Sequence, residues 1–229
     1  MKNKSTFVAI ILARGNSKGI KHKNLFKINK KPLIYWTIKH CLNSKKIEST
    51  WVSSDSLKIL KFSKKAGAQI IKRPKILSTD KASSESAWLH AINYLEEKKI
   101  RIDNIVGPQP TSPIRKKDDL DKAIFSFNKN KYDSLFTVKK VIGFGDFTWN
   151  KIGDKVTPGH SLKSRKRRQE LPTKYLENGS FFIFKKKEFV KKKTRLFGKL
   201  GIYVMPKIYS FDIDDHDDIK IVNSLKKYF

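Results

Sequence analysis

One stretch near the start constrains this 229-residue chain more than any other. Phe7 to Ala13 is an unbroken apolar run that stops in a glycine-bearing basic loop, Arg14-Gly-Asn-Ser-Lys-Gly19, continued by Lys21, Lys23 and Asn24. The run is short and lacks the alternation of a half-exposed strand, so it predicts a strand buried on both faces. Such a strand belongs inside a parallel sheet, and the loop at its carboxyl end is where α/β proteins hold phosphates. Glycines there let backbone N–H groups approach oxygen atoms, and cations meet the charge. The loop is neither a P-loop, which needs Gly-Lys-Ser/Thr at fixed spacing, nor a Gly-x-Gly-x-x-Gly turn. The plainer alternative is a sharp surface turn with solvated lysines. Four cationic side chains sharing the loop with Ser17 and Asn24 favour a polyphosphate site.

The chain then alternates strands and helices. Pro32 opens a helix with apolar residues at 34, 38, 41 and 42, the proline standing where its missing N–H costs least. Trp51–Asp55 reads as a second strand whose Ser-Ser-Asp ending can cap a helix over Leu57–Ala66, stopped at Gly67. Ala68–Ile71 is a third strand, running into Lys72-Arg73-Pro74. A hydroxyl cluster, Ser78 to Ser86, opens a helix over about Ser84–Lys98 in the style of a Ser-x-x-Glu capping box. Asp103–Val106 is a fourth strand, followed by Gly107-Pro-Gln-Pro-Thr-Ser-Pro-Ile-Arg115. Three prolines within six positions give a rigid extended loop that can hold Gln109, Thr111, Ser112 and Arg115 in set directions. Asp118 and Asp119 open a helix with 120, 123, 124 and 127 on one face, and Ser134–Val138 is a fifth strand. This alternation predicts an α/β fold, a parallel sheet with helices on both faces. Right-handed crossovers then gather the loops 14–24, 73–86 and 107–115 at one edge.

The stretch 139–177 changes character, with four glycines, little periodicity and the basic run Lys163-Ser-Arg-Lys-Arg-Arg168. It is expected to leave the sheet, with a hairpin built on Phe147–Asn150 and Lys155–Thr157. The basic run by itself reads as a solvated loop. After Asn178-Gly179 come a central strand at Ser180–Phe184, a short helix near Lys186–Val190, and strands at Ile202–Met205 and Ile208–Phe211. Phe211-Asp-Ile-Asp-Asp215 ends the last of these. Asp212 and Asp214 are two apart on an extended segment, so their carboxylates project on the same side. Such hard oxygen ligands suit Mg²⁺, which takes one or two carboxylates and completes its shell with phosphate oxygens and water. The aspartates from 215 onward also suit the N-terminus of a helix over Ile219–Tyr228.

Charge and cysteine content narrow the classes. The net charge of +30 invites a nucleic-acid reading, with Lys163–Arg168 as the contact. Only eight of the 51 basic residues are Arg, and the rest are lysines scattered along the chain. That is a solvated surface which also draws in anionic substrates, and no specific nucleic-acid partner is expected, with a basic nucleic-acid-binding protein as the weaker alternative. The single cysteine, Cys41, lies in an apolar helical pattern and is expected buried, while His40 beside it is expected to be structural. No apolar run approaches the roughly 20 residues of a membrane span, and no signal peptide is visible. A single domain over 1–229, cytoplasmic and without a membrane partner, is the expectation.

Four motifs in order, Ala13–Asn24, Gln109–Arg115, Asn178-Gly-Ser and Asp212-Ile-Asp214, resemble those of the acylneuraminate cytidylyltransferases, or CMP-N-acetylneuraminate synthetases. The resemblance runs from about Val8 to Leu225. It implies a homodimeric, Mg²⁺-dependent nucleotidyltransferase with an α/β, Rossmann-like, mostly parallel sheet of the nucleotide-diphospho-sugar transferase type, joining CTP to a nine-carbon keto-sugar acid and releasing pyrophosphate. It implies that Arg14, Ser17, Lys18, Lys23 and Asn24 bind the CTP phosphates, and that Arg73, Ser83 and Ser84 face the cytidine with Ala82 beside the base. Gln109 would contact the sugar acid with Thr111 near it, and Asn178 would be a further substrate contact. Arg168 matches an arginine on a dimerisation excursion at 139–177 that reaches an active site. Asp212 and Asp214 match a metal and general-base pair. Where many sialic acid members have an arginine two residues before the Asn-Gly, this chain has Leu176, then Glu177. Legionaminic or pseudaminic acid are thus alternative acceptors. A CMP-Kdo type ranks below these, because its phosphate loop usually favours Arg where Lys18 stands.

Overall fold

A computed structural model describes residues 5–17, 19–142, 147–163 and 166–229. Lys18 lies outside the described residues, and of Arg168 only the backbone is described. The apolar run forms β1 (Phe7–Leu12), with every residue from Phe7 to Ile11 at 3% exposure or less. As a central strand, β1 has its faces covered by helices and a sheet neighbour on each edge. Those neighbours are β4 (Ser49–Ser54) and β6 (Asn104–Pro108), both parallel to β1. β5 (Gln69–Lys72) extends the sheet parallel to β4. Beyond β6 lies β10 (Thr173–Lys185), antiparallel to both β6 and β7 (Ser134–Ile142), and β11 (Leu200–Met205) closes the far edge parallel to β7. The seven strands run in the order β11-β7-β10-β6-β1-β4-β5. A two-residue ladder of β2 (Lys27–Ile28) and β3 (Lys31–Pro32) follows the basic glycine loop.

Strand alternation sorts the core into two layers. Ala9 and Ile11 of β1 face α1 (Leu33–Asn43), α2 (Leu57–Lys65) and α4 (Asp119–Lys129), through Ile34, Ile38, Ile59, Leu120 and Phe127. Val8 and Ile10 face α3 (Ser84–Glu97) and α5 (Lys186–Lys192), through Trp88, Ala91, Ile92, Leu95 and Phe189. A third, smaller core joins Ile20, Ile28, Leu33, Ile114 and Ile213 to Ile219 and Val222 of α6 (His216–Ser224). Cys41 is buried in the first layer, its thiol pushed up to about 12 by burial.

Four expectations change in detail. The excursion begins later than 139 and ends earlier than 177, because Lys139–Ile142 pair with Thr173–Leu176 as the outer part of the β7–β10 ladder. Its hairpin is β8 (Trp149–Ile152) with β9 (Lys155–Pro158). Ile208–Phe211 is not a strand. Pro206 offers no N–H to a ladder, and Lys207–Tyr209 closes into a single 3₁₀ turn. The last helix starts three residues early, at His216. The Asp215 carboxylate accepts from the Asp217 and Asp218 N–H groups, and Asp218 accepts back from Asp215 N–H. Finally, Ser56, not Ser-Ser-Asp, caps α2, and Ser83 caps α3 from the N–H of Ser86, leaving Glu85 for another partner. No helix among the described residues is long and apolar enough to cross a membrane.

Candidate active site

The three loops meet, as the crossover rule requires, at the carboxyl ends of β1, β5 and β6. With the Asp212–Asp214 segment they enclose a cavity of about 540 Å³. Arg14, Ser17, Lys23, Asn24, Arg73, Ala82, Ser83, Ser84, Gln109, Thr111, Asp212 and Asp214 all line it. Those residues span about 200 positions of chain, and only the parallel sheet brings them together.

On the loop side, Lys23 bridges to the carboxylates. Its Nζ donates to the Ile213 carbonyl (2.6 Å) and to Asp214 Oδ1 (3.1 Å). Gly19 presses on the same segment, where a Cβ would collide with the Asp214 carbonyl. Asn24 is buried, and its amide donates to the Arg14 carbonyl (2.9 Å), so it shapes the loop from within while lining the cavity. Arg14 reaches across to Asp80 (2.7 Å). Gly15 N–H donates to Asp55 Oδ1 (2.8 Å), which ties the loop to the end of β4. Arg73 is 5% exposed and donates to Ser78 Oγ (2.9 Å). Burial lowers its pKa, Asp55 offsets part of that, and Arg14 adds to it.

The proline loop is held differently. Arg115 does not face the cavity: at 2% exposure it turns inward and acts as a brace. It donates to Ser180 Oγ (2.9 Å), the Ser180 carbonyl (2.7 Å), the Gln109 carbonyl (2.8 Å) and Thr37 Oγ1 (3.1 Å). Burial pulls its pKa down to about 10. Ser112 is likewise buried and away from the cavity. Gln109 is fixed through its main chain, its N–H donating to the Ser180 carbonyl, and its side-chain amide has no partner among the described residues. His40 packs behind this loop near the Pro113 carbonyl. Burial, and then the Arg115 charge, lower its pKa to about 3, so it is a neutral structural ring.

Asp212 and Asp214 share the cavity although no strand carries them. Ile213 sits between them with 0% exposure, and its N–H donates to the Thr111 carbonyl (2.9 Å). One buried anchor at the middle position leaves the two flanking side chains on the same, open side. Burial raises the Asp212 pKa and the Asp214 charge raises it further, against the Thr111 hydroxyl, Lys23 and the Ile213 N–H.

Asn178 and Leu176 stand apart from the cavity lining. Asn178 is buried in the irregularity of β10, its amide donating to Ser210 Oγ (2.9 Å) and its oxygen accepting from Ser180 N–H (3.3 Å). It braces the turn at Gly179, whose φ of 64° lies in the left-handed region that favours glycine. Two contributors were not singled out from the sequence, Asp55 and Trp88. Asp55 stands at a strand's carboxyl end, a position that could have marked it. Trp88 fits a helix core pattern and gave no separate signal.

The chain matches a family model described as Cytidylyltransferase over residues 8–227. It is 36% identical over 211 residues to N-acylneuraminate cytidylyltransferase A of Danio rerio, covering 90% of this chain and 47% of that protein. It is 33% identical over 230 residues to post-translational flagellin modification protein B of Campylobacter coli, covering 97% and 96%. The chain spans about half the length of the curated N-acylneuraminate cytidylyltransferases it matches, that of Escherichia coli O18:K1:H7 (strain RS218 / NMEC) included. Among solved structures, CMP:2-keto-3-deoxy-manno-octonic acid synthetase complexed with CTP superposes with a TM-score of 0.74 at 12% identity, over 97% of this chain and 99% of that one. A 4-diphosphocytidyl-2C-methyl-D-erythritol synthase from Anaerococcus prevotii gives 0.67 at 13%, over 97% and 99%. These two likenesses establish the shared fold, and the family match, spread over nearly the whole chain, establishes the kinship: this chain belongs to the cytidylyltransferase family.

Proposed function

We propose that this protein couples CTP to a nine-carbon 2-keto sugar acid, giving the CMP-sugar and pyrophosphate. The observation that carries the reading is the single cavity into which a cationic glycine loop, an unpaired Gln109 amide and two carboxylates all open. Arg14, Ser17, Lys23 and Asn24, with Lys18 of the same loop, receive the triphosphate. Arg73, Ala82, Ser83 and Ser84 form the nucleoside wall, and Gln109 with Thr111 meets the acceptor. The printed names of the Danio rerio and Campylobacter coli relatives favour a nonulosonic acid, of sialic, legionaminic or pseudaminic type.

The donor set fits Mg²⁺. Asp212 and Asp214 stand together on the open side of their segment, an excess of negative charge that a divalent cation relieves. Among the described residues no group of three or more His, Cys, Asp or Glu is placed to hold a metal ion. The chain therefore offers two carboxylates and leaves the remaining positions for phosphate oxygens and water, as that ion prefers. When bound, Mg²⁺ supplies Lewis-acid charge neutralisation at the phosphates. The protein's own part is positioning and proton transfer. The anomeric 2-hydroxyl attacks the α-phosphorus of CTP in line, one P–O bond forms, and the bond to pyrophosphate breaks. Asp212 accepts the hydroxyl proton, its raised pKa making it a better base than a solvated aspartate. Arg14 and Lys23 balance charge on the departing phosphates.

A homodimer fits the arm between β7 and β10. Its hairpin leaves Trp149 49%, Ile152 81% and Val156 54% exposed, apolar surface that a second copy would cover. On this reading the Arg168 guanidinium contributes to a site from that arm. Pyrophosphate release from CTP with a panel of eight- and nine-carbon keto acids tests the activity. Turnover of nine-carbon acids supports it, turnover of Kdo alone redirects the acceptor, and salt-sensitive nucleic-acid binding without CTP turnover overturns it.

A further inference from the structure

Arg195 lies in the connection between α5 and β11, outside every motif that pointed to the site. That connection has a rigid footing. Phe197 N–H donates to Ser134 Oγ (2.9 Å), the same hydroxyl donates to the Phe197 carbonyl (2.9 Å), and Lys199 N–H donates to Asp133 (2.7 Å). From this footing Arg195 reaches α3, where its Nη1 donates to Glu85 Oε1 (2.6 Å), a pair whose side chains are 26% and 23% exposed. Its guanidinium lies 4.5 Å from the Phe182 ring centroid and 5.7 Å from that of Trp88. Its Nε is buried without a partner among the described residues. A planar cation stacked on rings is a geometry that lysine does not reproduce.

The place where this strut bears on α3 decides its meaning. The body of α3 is held independently by Ala91, Ile92 and Leu95 in the second core layer. Glu85 is in the first turn, between Ser84 and Trp88, and Ser83, Ser84 and Trp88 line the cavity. Trp88 is pinned from two other sides: its Nε1 donates to the Ile10 carbonyl (3.1 Å), and its ring fills the space where a side chain on Gly107 would stand. Arg195 is the third support. Removing it frees the first turn while leaving the rest of the helix docked.

We infer that Arg195 is a positioning residue for the nucleotide half of the cavity, setting the Ser83–Ser84 turn through Glu85 and the stacked Trp88. This rests on the proposed CTP site and adds the device that orients one of its walls. The reacting atoms and the carboxylate edge lie elsewhere, so the strut acts on nucleotide affinity and not on the chemical step.

The test is CTP binding to the full chain by calorimetry without sugar acid, together with steady-state kinetics. Arg195→Met is expected to weaken CTP about tenfold, with kcat and the sugar-acid KM within about twofold of wild type. Arg195→Lys keeps the charge without the stack, and Glu85→Gln keeps the shape without the charge, so both should fall between. Should Arg195→Met fail to fold, these two carry the test, and the same CTP-only loss is required of them. CTP affinity within twofold of wild type in folded variants overturns the inference, as does an equal rise in both KM values, the mark of a merely structural residue. Wild-type protein that binds no CTP would instead sink the nucleotide site itself.

Discussion

The two walls of the cavity are held by opposite means. On the phosphate-loop wall two cations already lean on carboxylates, Arg14 on Asp80 and Lys23 on Asp214. These are side-chain contacts at the edge of solvent, each contributing at most about 1 kcal/mol. On the proline wall, Arg115 is buried and binds backbone and hydroxyl oxygens, and the Gln109 side-chain amide has no partner among the described residues. One wall is arranged to exchange partners, so an arriving polyanion can replace carboxylates at little net electrostatic cost. The other has its main chain set in advance, which lowers the ordering cost when the polar groups of the acceptor arrive.

The contrast can be broken in graded steps. Asp212→Asn should lower kcat by roughly 10³-fold or more, within the range expected for a lost general base, while CTP affinity changes little. Pyrophosphate assays near wild-type rate would separate the carboxylates from the loop they face. Arg14→Ala should cost roughly 10²–10³ in kcat/KM, and unaltered kinetics would mean that the loop wall carries no reacting phosphate. Arg115→Met strands the Ser180 and Gln109 carbonyls, so equilibrium denaturation should record about 3 kcal/mol lost. A loss below about 1 kcal/mol would show that the proline wall stands without its brace. Gln109→Ala should raise the sugar-acid KM about tenfold with CTP unaffected, and a change confined to CTP would reverse the assignment of the walls.

The smallest effect belongs to His40, behind the proline wall. Its folded pKa is depressed to about 3 from 6.5, so between those values the unfolded chain binds a proton that the folded chain refuses. Stability is therefore lost as pH falls through that window, by at most about 1.4 kcal/mol per unit from this ring. His40→Gln should flatten the slope of stability between pH 6.5 and 5. Equal slopes in the two proteins would mean that the ring protonates freely in place.

What the sequence made legible follows from what local pattern encodes. A strand buried on both faces announces itself as an unbroken apolar run, and a helix face as a period, so β1, α1 and α4 lie within a residue or two of expectation. Partner choice has no such signature. β10 enters between β6 and β7 from far along the chain, and nothing in Ser180–Phe184 says that it runs antiparallel. Ile208–Phe211 has strand-forming residues, yet the proline before it ends the pairing. Arg115 showed a cation on a loop but not which way it turns, and Asn178 an amide but not its commitment to Ser210. Such facts depend on three-dimensional neighbours.

The small core beneath the cavity has a dynamic consequence. Ile20 belongs to the phosphate loop, Ile114 to the proline loop and Ile213 to the carboxylate segment, and all three pack with Ile219 and Val222 of α6. Segments that share one core open and close as one cooperative unit. Nucleotide bound across the loops should therefore slow amide hydrogen exchange in α6, a helix that does not line the cavity.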